Sequence, residues 1–144
     1  MIDLLIDTGD ELVAPIDIQW QNSSRRNRPR DYVRCTTAYS RYHYNRAVYI
    51  NRIGSALAPE TIHGEWMGFL KIPAEMISVV AKALHRLLSE PLNSKAPMTA
   101  LINELIDNGH KVRAIYTTGN WCDIDTLEGS STPEVFDALG AVVC

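Results

Sequence analysis

The order in which hydrophobic periodicity changes along the chain constrains its fold more than any other feature. Short β-prone runs come first, at 11–20, 32–37, 47–53 and 64–72. Two longer stretches then repeat apolar residues at helical spacing. In the first, Met76, Ile77, Val80, Ala83, Leu84, Leu87 and Leu88 share a face, with Pro73 placed in the first turn and Pro91 as the stop. In the second, over 97–108, Leu101, Ile102, Leu105 and Ile106 do so, and Gly109 ends the helix. A strand is expected over 111–117, then a short helix at 133–139 and a last apolar strand at 141–144. Residues 1–8 look like the end of a helix that stops at Gly9. Pro15 removes one ladder donor from the first strand, which should therefore lie near a sheet edge or carry a bulge. The runs at 32–37 and 47–53 flank a polar turn and suggest a hairpin.

Strands that give way to helices and return to strands argue for an α/β fold: a layered, mixed β-sheet with flanking helices. The 144 residues make one domain, 1–144, with a β-rich basic insertion over about 21–53. Apolar residues make up 46% and charged residues 22%, which excludes an intrinsically disordered chain. No apolar run reaches the roughly 18 residues of a membrane-spanning helix. The first residues, Met-Ile-Asp-Leu-Leu-Ile-Asp, lack the basic start of a secretory signal. Three cysteines, Cys35, Cys122 and Cys144, stand far apart without a CxxC, so neither a disulfide framework nor a thiolate zinc site is expected, and a reducing cytoplasm suits them.

The net charge of −3 hides a polarised chain. Arg25, Arg26, Arg28, Arg30, Arg34, Arg41, Arg46 and Arg52 share one stretch with a single acid, Asp31, and the remainder is strongly acidic. Five of the six tyrosines, Tyr32, Tyr39, Tyr42, Tyr44 and Tyr49, fall in the same stretch. Such a segment meets an anion or pairs with the acidic body.

Three patterns carry possible chemistry. In Trp121-Cys-Asp-Ile-Asp-Thr126 a strand would turn Asp123 and Asp125 to one side and Ile124 to the other, a pairing suited to a hard divalent cation or, more simply, to exposed acids. In Gly64-Glu-Trp-Met-Gly68 the glycines admit either a ligand or a closely packed element. Trp20, Trp66, Trp121 and Tyr116 would make a box for a quaternary ammonium if they converged beside Glu65; they read more simply as core residues. His43, His63, His85 and His110 have no ligand spacing, and no HExxH, GxSxG or Cys–His nucleophile pattern occurs; His85 and His110 read as surface residues.

Taken in order, Ala14-Pro-Ile-Asp-Ile-Gln-Trp20, Gly64-Glu-Trp-Met-Gly-Phe-Leu-Lys71, the segment from Met98 to Val112 and Gly119-Asn-Trp-Cys-Asp-Ile-Asp-Thr126 resemble the C-terminal half of small nucleotidyltransferases. Among these the chain resembles phosphocholine cytidylyltransferases and the cytidylyltransferases of phosphonate metabolism. The similarity covers residues 1–128 or so, and its most specific piece is 121–126, where Asp123 stands in place of the family's usual Glu. The resemblance implies a Rossmann-like sandwich and transfer of a CMP or other NMP group from CTP or another NTP to a phosphate or phosphonate, releasing pyrophosphate. It makes Asp125 a Mg²⁺ ligand with Asp123 beside it, and it puts Glu65, Asp17, Trp20 and Trp121 near the acceptor. Charge alone adds Arg25 and Arg26, with Arg28 and Arg30, as holders of an anionic acceptor.

The family's N-terminal half carries a Gly-x-Gly-x-Arg loop that cradles the nucleotide, and none of the eight glycines here forms that pattern. The expectation is an acceptor half that is inactive alone. A half-sheet should also expose an edge, covered by a second copy or a partner chain. Two readings of other classes stand beside this one: a non-catalytic interaction domain, and a single-stranded nucleic-acid-binding module built on Arg/Tyr stretch 25–52. Against the latter stand the overall pI of about 5.8 and the lack of an RNA-binding signature.

Overall fold

The computed structural model describes residues 8–22, 30–42, 46–89 and 95–118. It is an α/β structure with five strands in one mixed sheet and two α-helices. The strands are β1 (Leu12–Asp17), β2 (Tyr32–Cys35), β3 (Val48–Gly54), β4 (Gly64–Trp66) and β5 (Val112–Thr117). The helices are α1 (Ile77–Ser89) and α2 (Met98–Asp107), and short 3₁₀ turns occupy Trp20–Asn22, Pro59–Thr61 and Ala74–Met76. No helix among the described residues is long and apolar enough to cross a membrane.

The sheet does not lie open as a layer. It closes in the order β1-β4-β2-β3-β5 and returns to β1. Four of the five pairings are antiparallel, and β1 with β5 is parallel. Asp17, Glu65, Tyr32 and Gly54 form one row across four strands. Following β3 back to Val48 and crossing through Ala114 leads to Ala14 rather than to Asp17, so the strands are staggered as barrel closure requires. The open edge expected of a half-sheet is therefore absent from the described strands.

Pro15 fits this arrangement through a bulge and not through an edge. The backbone polar groups of Val13 and Pro15 face the β4 side, where Val13 exchanges two hydrogen bonds with Lys71 and the Pro15 carbonyl accepts from the Met67 amide. Between those contacts the chain loops out around Gly68, whose φ of +82° is a left-handed conformation. The missing proline N–H falls opposite that loop. The same turn shortens the strand expected over 64–72 to three residues and leaves Phe69 and Ile72 exposed.

Leu12, Ala14 and Ile16 from β1, Val33, Ile50, Ile53, Trp66, Val112 and Ala114 make the barrel's apolar interior, and Val80, Ala83, Leu101, Ile102 and Leu105 of the helices join the same cluster. α2 ends as its sequence predicts. Gly109, at φ +84°, donates to the Ile106 carbonyl and His110 to that of Leu105, which is the Schellman arrangement. Pro97 sits at the N-cap of α2, and Pro73 at the N-cap of the 3₁₀ turn that leads into α1. The Asn103 side chain bridges α2 to β3, accepting from the Ile53 N–H (3.1 Å) and donating to the Ile53 carbonyl (2.7 Å). It takes the place of a neighbouring strand where β3 has run past its two-residue pairing with β5.

The two helices use their apolar stripes differently. α2 buries Thr99, Leu101, Ile102 and Leu105. α1 buries only Val80 and Ala83, and Ile77, Leu84 and Leu88 of its expected core face lie exposed. The helix, turn and strand predicted over 1–7 and 119–144 lie outside the described residues.

Candidate functional site

Ile16 and Trp66 are register partners and turn into the barrel, so their neighbours Asp17 and Glu65, also partners, turn to its outer side. Both carboxylates are nevertheless buried, at 5% and 4% exposure. This adjacency depends on Gly64. A Cβ there would collide with the Ile16 Cγ2 and come within 2.8 Å of the Asp17 carbonyl oxygen, so only glycine lets β4 lie this close to β1. Of the two readings of the glycine-bearing strand, close packing is the one Gly64 fulfils.

Arg30 closes the group. It is 9% exposed; its Nη1 lies 3.6 Å from Glu65 Oε2 and donates to the Trp20 carbonyl at 2.6 Å. Trp20 in turn meets Tyr32 edge to face, with centroids 5.2 Å apart. Tyr32 pairs with Glu65 across β2 and β4, and the Asp31 carbonyl accepts from the Trp66 amide. Asp17 Oδ1 accepts from the Gln19 amide, which turns the chain out of β1 towards Trp20. The result is a small, buried, charged corner at the end of β1: two carboxylates, one guanidinium and two aromatic rings.

Of the sequence-predicted site residues, Asp17, Trp20 and Glu65 come together here. Arg25, Arg26, Trp121, Asp123 and Asp125 lie outside the described residues, as does Arg28. Arg30, expected among the exposed anion-binding arginines, is instead turned inward onto Glu65. Tyr32 was not singled out from the sequence as a site residue; the signal that finds it is its cross-strand register with Glu65.

The aromatic box is not formed by its described members. Trp66 belongs to the core and donates its Nε1–H to the Phe69 carbonyl. Tyr116 lies elsewhere, donating its hydroxyl to the Thr37 carbonyl and packing on Tyr39. Only Trp20 stands beside the Glu65 corner.

A second polar group lies at Cys35 of β2, where β3 bulges by one residue, Asn51. The register shifts between Arg34 and Cys35, and the Cys35 amide donates to His63 Nδ1 at 3.2 Å. That side chain replaces a strand carbonyl, which gives His63 a structural task. The Cys35 thiol is pushed up to about 11 by burial, against a smaller lowering from its hydrogen bond with Tyr116. The Tyr116 phenol is raised as well, first by burial and then by its bond to Cys35. Neither group is poised as a nucleophile near neutral pH. His85 is exposed and His110 half-buried.

Among the described residues no three His, Cys, Asp or Glu side chains gather as a metal site. Asp17 accepts from a backbone amide and Glu65 lies by a guanidinium, and with two carboxylates alone the described residues do not make up a Mg²⁺ centre. Compared with protein-family models and with curated proteins, the chain matches none.

Proposed function

We propose that the chain is the acceptor-binding part of a Rossmann-like nucleotidyltransferase, of the type that moves CMP or another NMP from CTP or another NTP onto a phosphate or phosphonate and releases pyrophosphate. The observation that carries this reading is the convergence of Asp17, Trp20 and Glu65, which the family resemblance places near the acceptor, at one buried corner. Two buried carboxylates with an aromatic ring beside them are the features of that corner that would suit an acceptor carrying an ammonium group. In this reading Glu65 and Asp17 orient the cationic end of the acceptor and Arg30 holds Glu65 in place. Mg²⁺ would come to Asp125 and Asp123, outside the described residues, and neutralise phosphate charge there.

The nucleotide-binding glycine loop is supplied in this reading by a second copy or a partner chain. The surface that favours such an assembly is the apolar stripe of α1, with Ile77 at 59%, Leu84 at 40% and Leu88 at 48% exposure. The proposed setting is the cytoplasm, in keeping with three cysteines that lack disulfide spacing.

Calorimetric titration tests the reading. Phosphocholine and 2-aminoethylphosphonate are each titrated into the chain, and CTP with Mg²⁺ is titrated separately. Acceptor binding should vanish in Glu65→Gln and persist in Asp125→Ala; CTP–Mg²⁺ binding should do the reverse. No heat from any of these ligands with the folded chain overturns the proposal.

A further inference from the structure

From Arg34 to Gly54 the chain contains no acid, and the described residues of this run lie in and beside the β2–β3 hairpin. Val33 and Cys35 point into the barrel, so Arg34 between them points out, opposite Arg52 of β3. Thr36 and Tyr49 close the base of the hairpin through two hydrogen bonds, Thr36 N–H to the Tyr49 carbonyl and Tyr49 N–H to Thr36 Oγ1. Beyond that base two rings stand out into solvent, Tyr42 at 75% exposure and Tyr39 at 48%.

Both rings are held. Tyr39 meets Tyr116 edge to face at 5.8 Å, and Tyr116 is anchored to the Thr37 carbonyl at 2.6 Å. The Arg41 guanidinium lies 5.0 Å from the centre of the Tyr42 ring and donates to its hydroxyl at 2.8 Å. Exposed tyrosines fixed in this way are costly for a surface with no ligand, and they lose little freedom when a flat ligand stacks on them. The cations beside them divide into two groups. Arg52 pairs with Asp107 and Arg113 with Glu11, whereas among the described residues Arg34, Arg41 and Arg46 form no ion pair with an acid.

We propose that this Arg34–Tyr39–Arg41–Tyr42–Arg46 face of the β2–β3 hairpin binds single-stranded nucleic acid. The arginines neutralise the phosphate backbone and the two tyrosines stack on bases. Unstacked bases are needed to reach both rings, which favours single strands over duplex. The chain's acidic pI does not oppose this, because residues 34–54 themselves carry no acid, and among the described residues Asp107 and Glu11 reach them at Arg52 and Tyr49. The surface is separate from the Asp17–Glu65 corner and does not depend on the function proposed for it.

Fluorescence anisotropy with labelled oligo(dT) and oligo(U) of about 15 nucleotides, the length of a generous single-strand site, tests the proposal. Three phosphate contacts should give a log–log salt slope near −2, on the order of 0.7 per contact. Tyr42→Ala should weaken binding by about tenfold through loss of one stacking contact, and Tyr42→Phe should leave it within about twofold. Arg34→Gln should reduce the salt slope by roughly one contact. Excess phosphocholine should not displace the oligonucleotide, which separates failure here from failure of the acceptor site. An abasic strand of equal length, which loses both stacking contacts, should bind about a hundredfold more weakly than oligo(dT). Equal binding of abasic strand, heparin and oligo(dT), unmoved by Tyr42→Ala, would overturn the proposal in favour of a general polyanion surface. So would the absence of binding at low salt by a chain whose thermal unfolding is normal.

Discussion

Two arginine–tyrosine groups lie within a dozen residues of each other in sequence and follow opposite physics. Arg30, with Tyr32 close by, is buried against Glu65 and the Trp20 carbonyl. Arg41, with Tyr42 beside it, is exposed and lies over that ring. In the first group the guanidinium is part of the structure, because removing a partner strands a buried charge. In the second it costs the fold almost nothing to lose. Residue type therefore does not separate structural from binding arginines in this chain; the presence of a buried acid across the neighbouring strand does.

The comparison is most directly broken at Gly64, whose replacement would push β4 off β1 and scatter the buried group. Gly64→Ala should cost at least about 3 kcal/mol, as overpacking against a backbone carbonyl does, and chemical denaturation would measure it. Arg30→Met should come next, at about 3 kcal/mol, because it leaves Glu65 buried with one partner fewer. Its counterpart Arg41→Met should be within about 0.5 kcal/mol of the parent in the same assay. Equal losses at the two arginines would erase the distinction.

Alkaline titration sharpens it from another side. The Cys35 thiol is raised to about 11 in the folded chain, so the unfolded chain releases that proton first. The associated stability is complete below the ordinary thiol value and is lost as pH rises towards 11, with Tyr116 acting in the same sense. Stability should fall by about 2 kcal/mol across that window, and Cys35→Ala should flatten the fall. Asn103→Ala should cost about 1–2 kcal/mol, since the Ile53 amide and carbonyl both lose their partner. The smallest effect belongs to the exposed Arg52–Asp107 pair, where Arg52→Ala should change stability by about 0.5 kcal/mol or less and should be insensitive to salt beyond that.

The parts of the fold written in local periodicity were legible beforehand. α2 has both its apolar stripe and its Gly109 stop, and the β2–β3 hairpin has its flanking β-prone runs. The length of β4 was not legible, because Gly68 reads as one more small residue in an apolar run until its left-handed turn is seen. Closure of the sheet was not legible either, since it depends on registers between strands far apart in sequence. At the site, Asp17 and Glu65 were each marked, but their contact is a property of register. Arg30 was hidden in a basic run whose other members gave no reason to single it out.

The parallel pairing of β1 with β5 joins Leu12 to Val112 and Asp17 to Thr117. During synthesis β1 emerges first among the five strands and waits for nearly the whole described chain before its second neighbour exists. Until then β1 presents one bare side, and β4 is the only strand available to it. The nascent chain is thus most open to aggregation or to chaperone capture over that interval, and β5, the last of the described strands, both completes the barrel and ends that exposure of β1.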